Sequence, residues 1–362
     1  MEAMQHYTAT STAKTPPPHT GVARFLDACY HRQPDATPVW FMRQAGRCLA
    51  EYRALRQKYD MLTMVKTPEL SAEVTLMPVK TFGVDAAVIY SDIMTPLEAM
   101  GVSFEIRHEV GPLIHHPIRN QQDVENIRIP NGPEIAPYMM QAIQMVRREV
   151  EGKQAVIGFA GAPFTLACYL IEGRPSRDYR NAKAMMYSQP ELWHTLMEKL
   201  TTVTQSYLGE QVQAGVDVVQ LFDSWVGALS PSAYERYVQP YVRRIFDSVK
   251  QTGIPAIHFG TGTSALLESM TAAGGDIIGL DSHVELDEGW ERVGFEHGVQ
   301  GNLDSILLLT EWPVIESAMR DVLKRAANRP GHIFNLGHGV LPPTNPDLLR
   351  QLVEAVHAET QR

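Results

Sequence analysis

Eight strand-length apolar runs recur along the chain, and segments with helical character lie between most of them. Most of these runs are continuously apolar rather than alternating, which is typical of strands that are buried on both faces of a parallel sheet. Val299–Gly301 carries the weakest pattern of the set. The predicted strands are Pro38–Met42, Ala86–Ser91, Ala155–Ala160, Val216–Phe222, Pro255–Phe259, Asp276–Leu280, Val299–Gly301 and His332–Leu336.

Helices are predicted from start and stop signals as well as from apolar periodicity. Thr67 followed by Pro68 marks the start of a helix that runs to about Thr81, and Pro78 is expected to kink it. Further helices are predicted over Ile135–Glu151, Pro190–Ala214, a segment opening at Ser230-Pro231, Thr263–Ala273, Glu311–Ala327 and Pro346–Thr360.

Strand and helix alternate to the end of the chain with no stretch that resembles a linker. Eight such units in 362 residues predict an α/β fold, a single-domain (β/α)8 TIM barrel over residues 21–362. A doubly wound sheet with a second domain is the alternative. Residues 101–133 are rich in Pro and poor in strand patterns, so we interpret them as an excursion with a short hairpin. The first 20 residues are rich in Thr and Pro, which predicts a disordered arm without a signal peptide.

Composition narrows the class of function. The net charge is −9, which argues against general nucleic-acid binding and places any anionic substrate in an unfavourable overall field. No apolar run approaches the roughly 20 residues that span a bilayer. The three cysteines, Cys29, Cys48 and Cys168, are too scattered for a disulfide framework and indicate a reducing, cytoplasmic compartment.

Polar residues or glycines follow nearly every predicted strand. In a barrel of this type the chemistry lies at the carboxyl ends of the strands, so these residues converge on one mouth. Each one alone is an ordinary turn former or helix cap, but the set as a whole predicts a site. In chain order, the strand ends carry Arg43, Asp92, Gly161-Ala162-Pro163, Asp223-Ser224, Gly260-Thr261-Gly262, Asp281, Asn302 and His338.

The first of these strand ends has the composition of a polyanion site. Arg43, Gln44, Ala45, Gly46 and Arg47 place two cations and an amide around a small turn. The planar guanidinium group binds carboxylates in pairs and stays charged near neutral pH, so several carboxylates are the expected ligand. The alternative is that both arginines cap a surface loop.

Other candidates have ordinary structural alternatives. Asp92 is flanked by apolar residues, so it either serves a site or bridges to one of the two arginines. Tyr169 could orient a carboxylate or belong to the core, and Ser224 could bind a ligand or cap a helix. His338 lies between two glycines, which allow close approach of a ligand and favour function. His258, inside a strand, is interpreted as a core residue or one that supports the site from behind.

Competing motifs are weaker. Gly260-Thr-Gly-Thr-Ser-Ala265 follows a strand, and Asp281 ends the next one, which imitates a dinucleotide fingerprint. That motif usually opens a domain, whereas here it falls in the fifth of eight units. No cysteine pair or His-Glu-x-x-His motif has the spacing of metal ligands, and the sequence predicts no metal site.

Several of these segments together resemble the uroporphyrinogen decarboxylase family, over about residues 21 to 360. The segments that carry the resemblance are Pro38-Val-Trp-Phe-Met-Arg-Gln-Ala-Gly-Arg47 with Glu51-Tyr-Arg53, Phe82-Gly-Val-Asp-Ala-Ala-Val-Ile-Tyr-Ser-Asp92, Gly158-Phe-Ala-Gly-Ala-Pro163, Phe222-Asp-Ser224, His258-Phe-Gly260 and Gly331-His-Ile-Phe-Asn-Leu-Gly-His-Gly339. The first and the last of them are highly specific.

The resemblance implies a (β/α)8 barrel that acts as a homodimer without metal or cofactor. The implied substrate is a cyclic tetrapyrrole, whose four acetate arms become methyl groups as CO₂ leaves. Asp92 is implied to stabilise the transition state, and the arginines to hold carboxylates. The residues implied to bind substrate are Arg43, Gln44, Ala45, Gly46, Arg47, Asp92, Tyr169, Ser224 and His338.

Five positions depart from the residues usual in that family, and none of them is an implied catalytic position. They put the shape of local loops in doubt, especially near Ser282. The departures are Cys48, Ala50, Arg174, Ser282 and Ser305.

Two other functions are considered. Corrinoid or thiol methyltransferases of the same superfamily carry a zinc site with His-x-Cys after a strand, and His258-Phe-Gly260 lacks that cysteine. A non-catalytic tetrapyrrole-binding protein would not need Arg43, Asp92 and His338 together.

Overall fold

A computed structural model of the chain describes residues 20–107 and 111–362. Of the predicted disordered arm over residues 1–20, only Thr20 lies within this range, where its hydroxyl caps the first helix. The strands are β1 (Ala86–Val88), β2 (Phe104–Arg107), β3 (Gly111–Ile114), β4 (Ala155–Gly161), β5 (Val218–Phe222), β6 (Ala256–Phe259), β7 (Ile277–Gly279), β8 (Gly298–Leu303) and β9 (His332–Leu336).

Seven of the described strands form one parallel sheet in the order β1-β4-β5-β6-β7-β8-β9. The segment 38–42 closes this sheet, because it bonds to both edges. On one side Phe334 donates its N–H to the Pro38 carbonyl at 2.9 Å, and on the other Asp85 donates to the Val39 carbonyl at 2.8 Å. The fold is therefore that of a single-domain TIM barrel, as predicted.

The predicted first strand is wrong in one respect. Only Val39 forms a sheet bridge, to Phe334, and the rest of Pro38–Met42 is irregular. Val39, Phe41 and Met42 donate their N–H groups to side chains instead. Their acceptors are Asp85 Oδ2 at 2.7 Å, Gln44 Oε1 at 3.0 Å and Asn335 Oδ1 at 3.0 Å.

The helices surround the sheet. They are α1 (Gly21–Cys29), α2 (Ala50–Lys58), α3 (Met61–Lys66), α4 (Pro68–Phe82), α5 (Thr95–Ala99), α6 (Gln121–Glu125), α7 (Pro137–Val150), α8 (Pro163–Glu172), α9 (Arg180–Ser188), α10 (Pro190–Ala214), α11 (Pro231–Tyr237), α12 (Gln239–Lys250), α13 (Leu267–Ala273), α14 (Leu286–Val293), α15 (Trp312–Ala326) and α16 (Pro346–Thr360). Within the described part of the chain, no helix is both long and apolar enough to span a membrane.

Most predicted helices form, with two differences at their starts. Thr67 precedes α4, but its hydroxyl donates to the Thr63 carbonyl at 2.8 Å and does not cap the helix. The segment predicted to be helical from Thr263 first forms a 3₁₀ turn, and α13 begins at Leu267. The excursion over 101–133 does contain a hairpin, the antiparallel pair β2 and β3.

The barrel interior is filled from one face of each strand, while the other face packs against the helices. Trp40, Ile157, Val218, Ile257 and Ile333 belong to the interior cluster. Alternation along a strand therefore assigns neighbouring residues to opposite sides. This parity decides which residues at the strand ends point into the mouth and which point towards the helices.

A buried ion-pair cluster holds the first segment at the opposite end of the barrel. The carboxylate of Asp85 accepts the Val39 N–H, and it pairs with Arg24 at 2.6 Å and with His357 at 2.7 Å. The Asp85 side chain is 3% exposed. This cluster fixes the register of the segment that leads to Arg43.

Candidate active site

Arg43 leaves the barrel wall in a strained conformation. Its φ angle is +59°, in the left-handed region that residues with a Cβ rarely adopt. Among the described residues, neither its guanidinium group nor that of Arg47 forms a hydrogen bond or an ion pair. Both side chains are exposed. Two unpaired guanidinium groups at a strand end are available to hold carboxylates.

Gly339 gives the Arg43 side chain its path. A Cβ atom at residue 339 would lie 2.5 Å from Cδ and 2.8 Å from Cγ of Arg43. These atoms belong to the root of the side chain and cannot swing away as its tip could. The glycine after His338 therefore positions Arg43.

We expect Gly339→Ala to displace the Arg43 side chain and to lower kcat/KM by about tenfold or more, which corresponds to about 1.4 kcal/mol. Gly209→Ala in α10 is the matched control, because a Cβ atom there would meet nothing within 4 Å. Steady-state kinetics of the two variants check the prediction. A Gly339→Ala enzyme with wild-type kcat/KM would contradict the assigned path of Arg43.

Gln44 is used within the barrel wall. Its side chain is fully buried, accepts the Phe41 N–H at 3.0 Å and donates to the Ala86 carbonyl at 2.9 Å. The Gln44 side chain therefore bonds within the barrel wall, and the predicted contact of Gln44 with substrate, which its backbone would have to make, stays a prediction. Ala45 and Gly46 complete the turn between the two arginines and are partly buried.

Asp92 lies in the loop between β1 and α5. It is partly buried, and its Oδ1 accepts the Met94 N–H at 2.8 Å, which aims the carboxyl group. Among the described residues Asp92 forms no ion pair, so the alternative of a structural bridge to an arginine is not observed. Burial raises the pKa of Asp92, and the Met94 N–H and the charge of Arg43 offset only part of that effect.

The raised pKa of Asp92 predicts a pH dependence. If the ionised form is the working one, activity is lost as the pH falls through this pKa, which lies above the value of about 3.9 for an unperturbed aspartate. We expect the acid limb of kcat/KM to lie correspondingly high and to shift when Arg43 is replaced by Gln. An acid limb that stays fixed in Arg43→Gln would contradict the electrostatic coupling of the two residues.

Tyr169 and Ser224 lie after two further strands, β4 and β5. Tyr169, in α8, is partly buried, and burial followed by the charge of Asp92 raises its pKa. The described residues include no hydrogen bond between Tyr169 and Asp92. Ser224 follows β5, and its carbonyl accepts the Thr261 hydroxyl at 2.6 Å. Its own hydroxyl makes no hydrogen bond with a described residue, so Ser224 does not cap a helix.

His338 completes the mouth after β9. Its surface is exposed, yet partial burial of the ring, followed by the charge of Arg43, lowers the pKa of His338, while Asp281 acts in the opposite direction. The imidazole is therefore held towards its neutral form. These mutual effects bring Arg43, Asp92, Tyr169 and His338 into one electrostatic neighbourhood.

Sequence reasoning missed an aromatic stack and a cationic cavity beside the mouth. The Trp225 ring lies on Tyr169 and Tyr179, with ring centroids 4.1 Å and 4.9 Å away. Next to Arg47 a cavity of about 630 Å³ is lined by Arg53, Arg56, Arg107, Tyr52, Gln57, Met61, Ile106 and Pro342. Arg53 and Arg56 lie three residues apart on α2, a spacing that indicates one cationic helix face and could have predicted the cavity. The aromatic stack joins three separate segments and left no local signal.

The competing motifs do not form sites. The N–H of Gly262, which a nucleotide phosphate would need, donates to the Asp281 carboxylate. The Gly227 backbone also packs against the Thr261 and Gly262 carbonyls. Within the described ranges, no three His, Cys, Asp or Glu side chains are grouped closely enough to hold a metal ion.

Comparisons with known proteins identify what the chain resembles. A model of the uroporphyrinogen decarboxylase family matches residues 20–359. The uroporphyrinogen decarboxylase of Carboxydothermus hydrogenoformans is 50% identical over 333 residues, covering 92% of this chain and 95% of that protein. The enzyme of that name from Sorangium cellulosum is 50% identical over 335 residues, covering 92% of this chain and 96% of that protein.

A solved structure supports the fold alone. A methyltransferase from Methanosarcina mazei superposes with a TM-score of 0.79 at 20% identity, covering 94% of this chain and 99% of that one. Its identity is too low to transfer a reaction, so this similarity gives no support to the methyltransferase alternative.

Proposed function

The chain belongs to the uroporphyrinogen decarboxylase family, and from this premise we propose that it converts uroporphyrinogen III to coproporphyrinogen III. The reaction is that of a carboxy-lyase of porphyrin and haem biosynthesis. Four acetate arms of the tetrapyrrole become methyl groups, with release of four molecules of CO₂. The four propionate arms are left unchanged.

The substrate itself supplies the electron sink. Loss of CO₂ from an acetate leaves an electron pair, which many decarboxylases pass to a bound cofactor such as PLP. Protonation of the pyrrole ring carbon next to the acetate-bearing position makes the ring iminium-like, so the ring accepts that pair. A proton then adds to the exocyclic carbon and the ring carbon loses its own, so each CO₂ consumes one proton. We therefore propose a reaction without cofactor or metal.

Arg43 and Arg47 are proposed to anchor substrate carboxylates, with the Ser224 hydroxyl as a further donor. A hydrogen bond to a charged group contributes about 1.5–3 kcal/mol, so a few such contacts can outweigh the field of a chain with net charge −9. That neither guanidinium group bonds to a described residue supports this role. The carboxylate that leaves is held less tightly, because ground-state binding that is lost in the transition state slows the step.

Asp92 is proposed to face the pyrrole N–H groups as a carboxylate. An anion fixed there stabilises the cation that forms when the ring carbon is protonated. Its Met94 hydrogen bond leaves the Oδ2 atom available to the substrate. Tyr169 is proposed to orient the carboxylate once substrate is bound. His338, held towards its neutral form, is proposed to relay the proton.

The observation that carries the proposal is that Arg43, Arg47 and the Asp92 carboxyl group form no ion pair with a described residue, in a chain 50% identical to decarboxylases. The test is to measure CO₂ released per molecule of uroporphyrinogen by chelator-treated protein under reducing conditions. Four equivalents are expected. A methyltransferase or a non-catalytic binding protein would release none, and that result would overturn the proposal.

We further propose that the chain acts as a homodimer in the cytoplasm. The dimer rests on the family resemblance. The compartment rests on Cys29, Cys48 and Cys168, which are free, buried thiols in the described structure. Analytical ultracentrifugation at assay concentrations tests the dimer.

A further inference from the structure

Asp223 and His258 lie side by side on the outer face of the barrel wall. Along β5, Val218 and Phe222 pack in or against the interior cluster, so Asp223 points the other way, towards the helices. Along β6, Ile257 is interior, and His258 likewise points outwards, where its ring lies 4.9 Å from that of Phe246. Both side chains are therefore directed towards the helices and away from the mouth.

The two groups are buried with few partners. Both side chains are 0% exposed, and His258 Nε2 lies 3.6 Å from Asp223 Oδ2. Neither oxygen of the Asp223 carboxyl group has a hydrogen-bond partner among the described residues, and the same holds for His258 Nε2. His258 Nδ1 lies 3.2 Å from the Gly274 carbonyl. The Tyr234 hydroxyl is also buried and has no partner among the described residues, and burial followed by the charge of Asp223 raises its pKa.

This geometry limits the protonation states that the pair can adopt. A carbonyl only accepts, so His258 Nδ1 carries a hydrogen. If His258 is neutral, its Nε2 carries no hydrogen and faces Asp223. If Asp223 is also ionised, two hydrogen-bond acceptors face each other in a buried site, which is unfavourable. One proton between them removes that conflict, whether it resides on Nε2 or on the carboxyl group.

Asp223 is continuous with the turn that carries the candidate binding residues. Its N–H donates to the Phe259 carbonyl at 2.7 Å, and its carbonyl accepts the Val226 N–H at 3.3 Å. The Ser224 carbonyl accepts the Thr261 hydroxyl, and the Trp225 ring packs against Tyr169. Every residue of the turn 223–225 is thus fixed by a different neighbour, and His258 is the side-chain neighbour of the first.

We propose that Asp223 and His258 hold one shared proton and act as positioning residues that set the Ser224–Trp225 turn at the substrate mouth. The positioning role rests on the proposed function. The shared proton does not, because it follows from the buried geometry alone.

The proton is tested by ¹⁵N NMR of protein labelled at histidine, with the His258 signals assigned by their loss in His258→Gln. The expected spectrum has a protonated Nδ1 and an Nε2 that is either protonated or strongly hydrogen bonded. In Asp223→Leu the Nε2 signal should move to that of a bare imidazole nitrogen. A bare Nε2 in the wild-type protein would overturn the shared proton, and this readout needs no substrate.

The positioning role is tested with two matched variants. Asp223→Asn keeps the size and offers an N–H to His258 Nε2, so kcat and KM should stay within about twofold of the wild type. Asp223→Leu removes every polar contact, and KM should rise by about five- to tenfold with kcat changed by less than about threefold. Thermal unfolding is measured alongside, because a merely structural pair would lower Tm and leave KM unchanged.

A double-mutant cycle separates action through Ser224 from a general effect. In a Ser224→Ala background, Asp223→Leu should raise KM by less than about twofold further. The positioning role would be overturned if Asp223→Leu raised KM by the same factor with and without Ser224→Ala. A wild-type KM in Asp223→Leu would also overturn it. A wild-type enzyme that releases no CO₂ would instead overturn the proposed function and leave the NMR result standing.

Discussion

Asp92→Asn is expected to lower kcat by about 10²–10³-fold, the range found when one preorganised electrostatic contact to a transition state is removed. The amide keeps the size of the carboxyl group, and its oxygen can still accept the Met94 N–H. What is lost is the negative charge that faces the cationic pyrrole. The effect should therefore fall on kcat more than on KM.

The same variant should be at least as stable as the wild type. Burial raises the pKa of Asp92 in the folded chain. The contribution of Asp92 to the free energy of unfolding therefore falls as the pH rises through that pKa. At neutral pH the ionised side chain thus opposes folding, and a neutral amide removes that cost. Thermal unfolding and steady-state kinetics on one preparation check both parts.

The control for Asp92→Asn is Asp347→Asn, in the exposed first turn of α16, which should leave kcat unchanged. Near-full activity in Asp92→Asn would show that the role assigned to Asp92 is wrong. A lower Tm at neutral pH would contradict the stated cost of burying its charge.

Arg43→Ala is expected to have the second large effect, a fall in kcat/KM of about 10²-fold or more. Loss of a bidentate contact removes two charge-assisted hydrogen bonds of about 1.5–3 kcal/mol each. Arg43→Lys keeps the charge without the planar fork and should recover only part of the loss. Because the guanidinium group bonds to no described residue, Tm should change little in either variant.

Arg320→Ala is the matched control for Arg43, because Arg320 pairs with Glu316 and Glu359 on the outer helices. Its kcat/KM should equal that of the wild type. Equal kcat/KM in Arg43→Ala and Arg320→Ala would mean that Arg43 binds no substrate.

The eight-unit pattern predicted the barrel because parallel strands buried on both faces leave a strong apolar signal in the sequence. The exception is Pro38–Met42, which is apolar enough for a strand but forms one bridge. Its N–H groups donate to Asp85, Gln44 and Asn335, two of which are distant along the chain. Hydrogen bonds to side chains so distant along the chain cannot be predicted from a local sequence pattern.

The sequence also predicts part of the candidate site. Asp92 and His338 follow strands, and Arg43 follows the apolar segment 38–42. The rule that the chemistry of a barrel lies at the carboxyl ends of its strands therefore predicts all three as site residues. The family resemblance assigns Gln44 to the substrate, yet its side chain donates to the Ala86 carbonyl in the barrel wall. The aromatic contact of Trp225 with Tyr169 joins different elements, and such contacts exist only once the chain is folded.

The proposed roles divide the work of the site. In this proposal Arg43 and Arg47 hold carboxylates, and Asp92 carries the charge that meets the protonated ring. Gly339 and the Asp223–His258 pair are proposed to keep the binding groups in place. A charge that must face the ring would account for a buried carboxyl group with a raised pKa beside Arg43.

The central claim is that this chain removes the four acetate carboxylates of uroporphyrinogen. The most direct measurement is to incubate the protein with uroporphyrinogen III under reducing conditions, oxidise the products and separate the porphyrins by chromatography. The account predicts that the eight-carboxylate species gives way, through intermediates with seven, six and five carboxylates, to the four-carboxylate product. Persistence of only the eight-carboxylate species, with folded protein present, would contradict it.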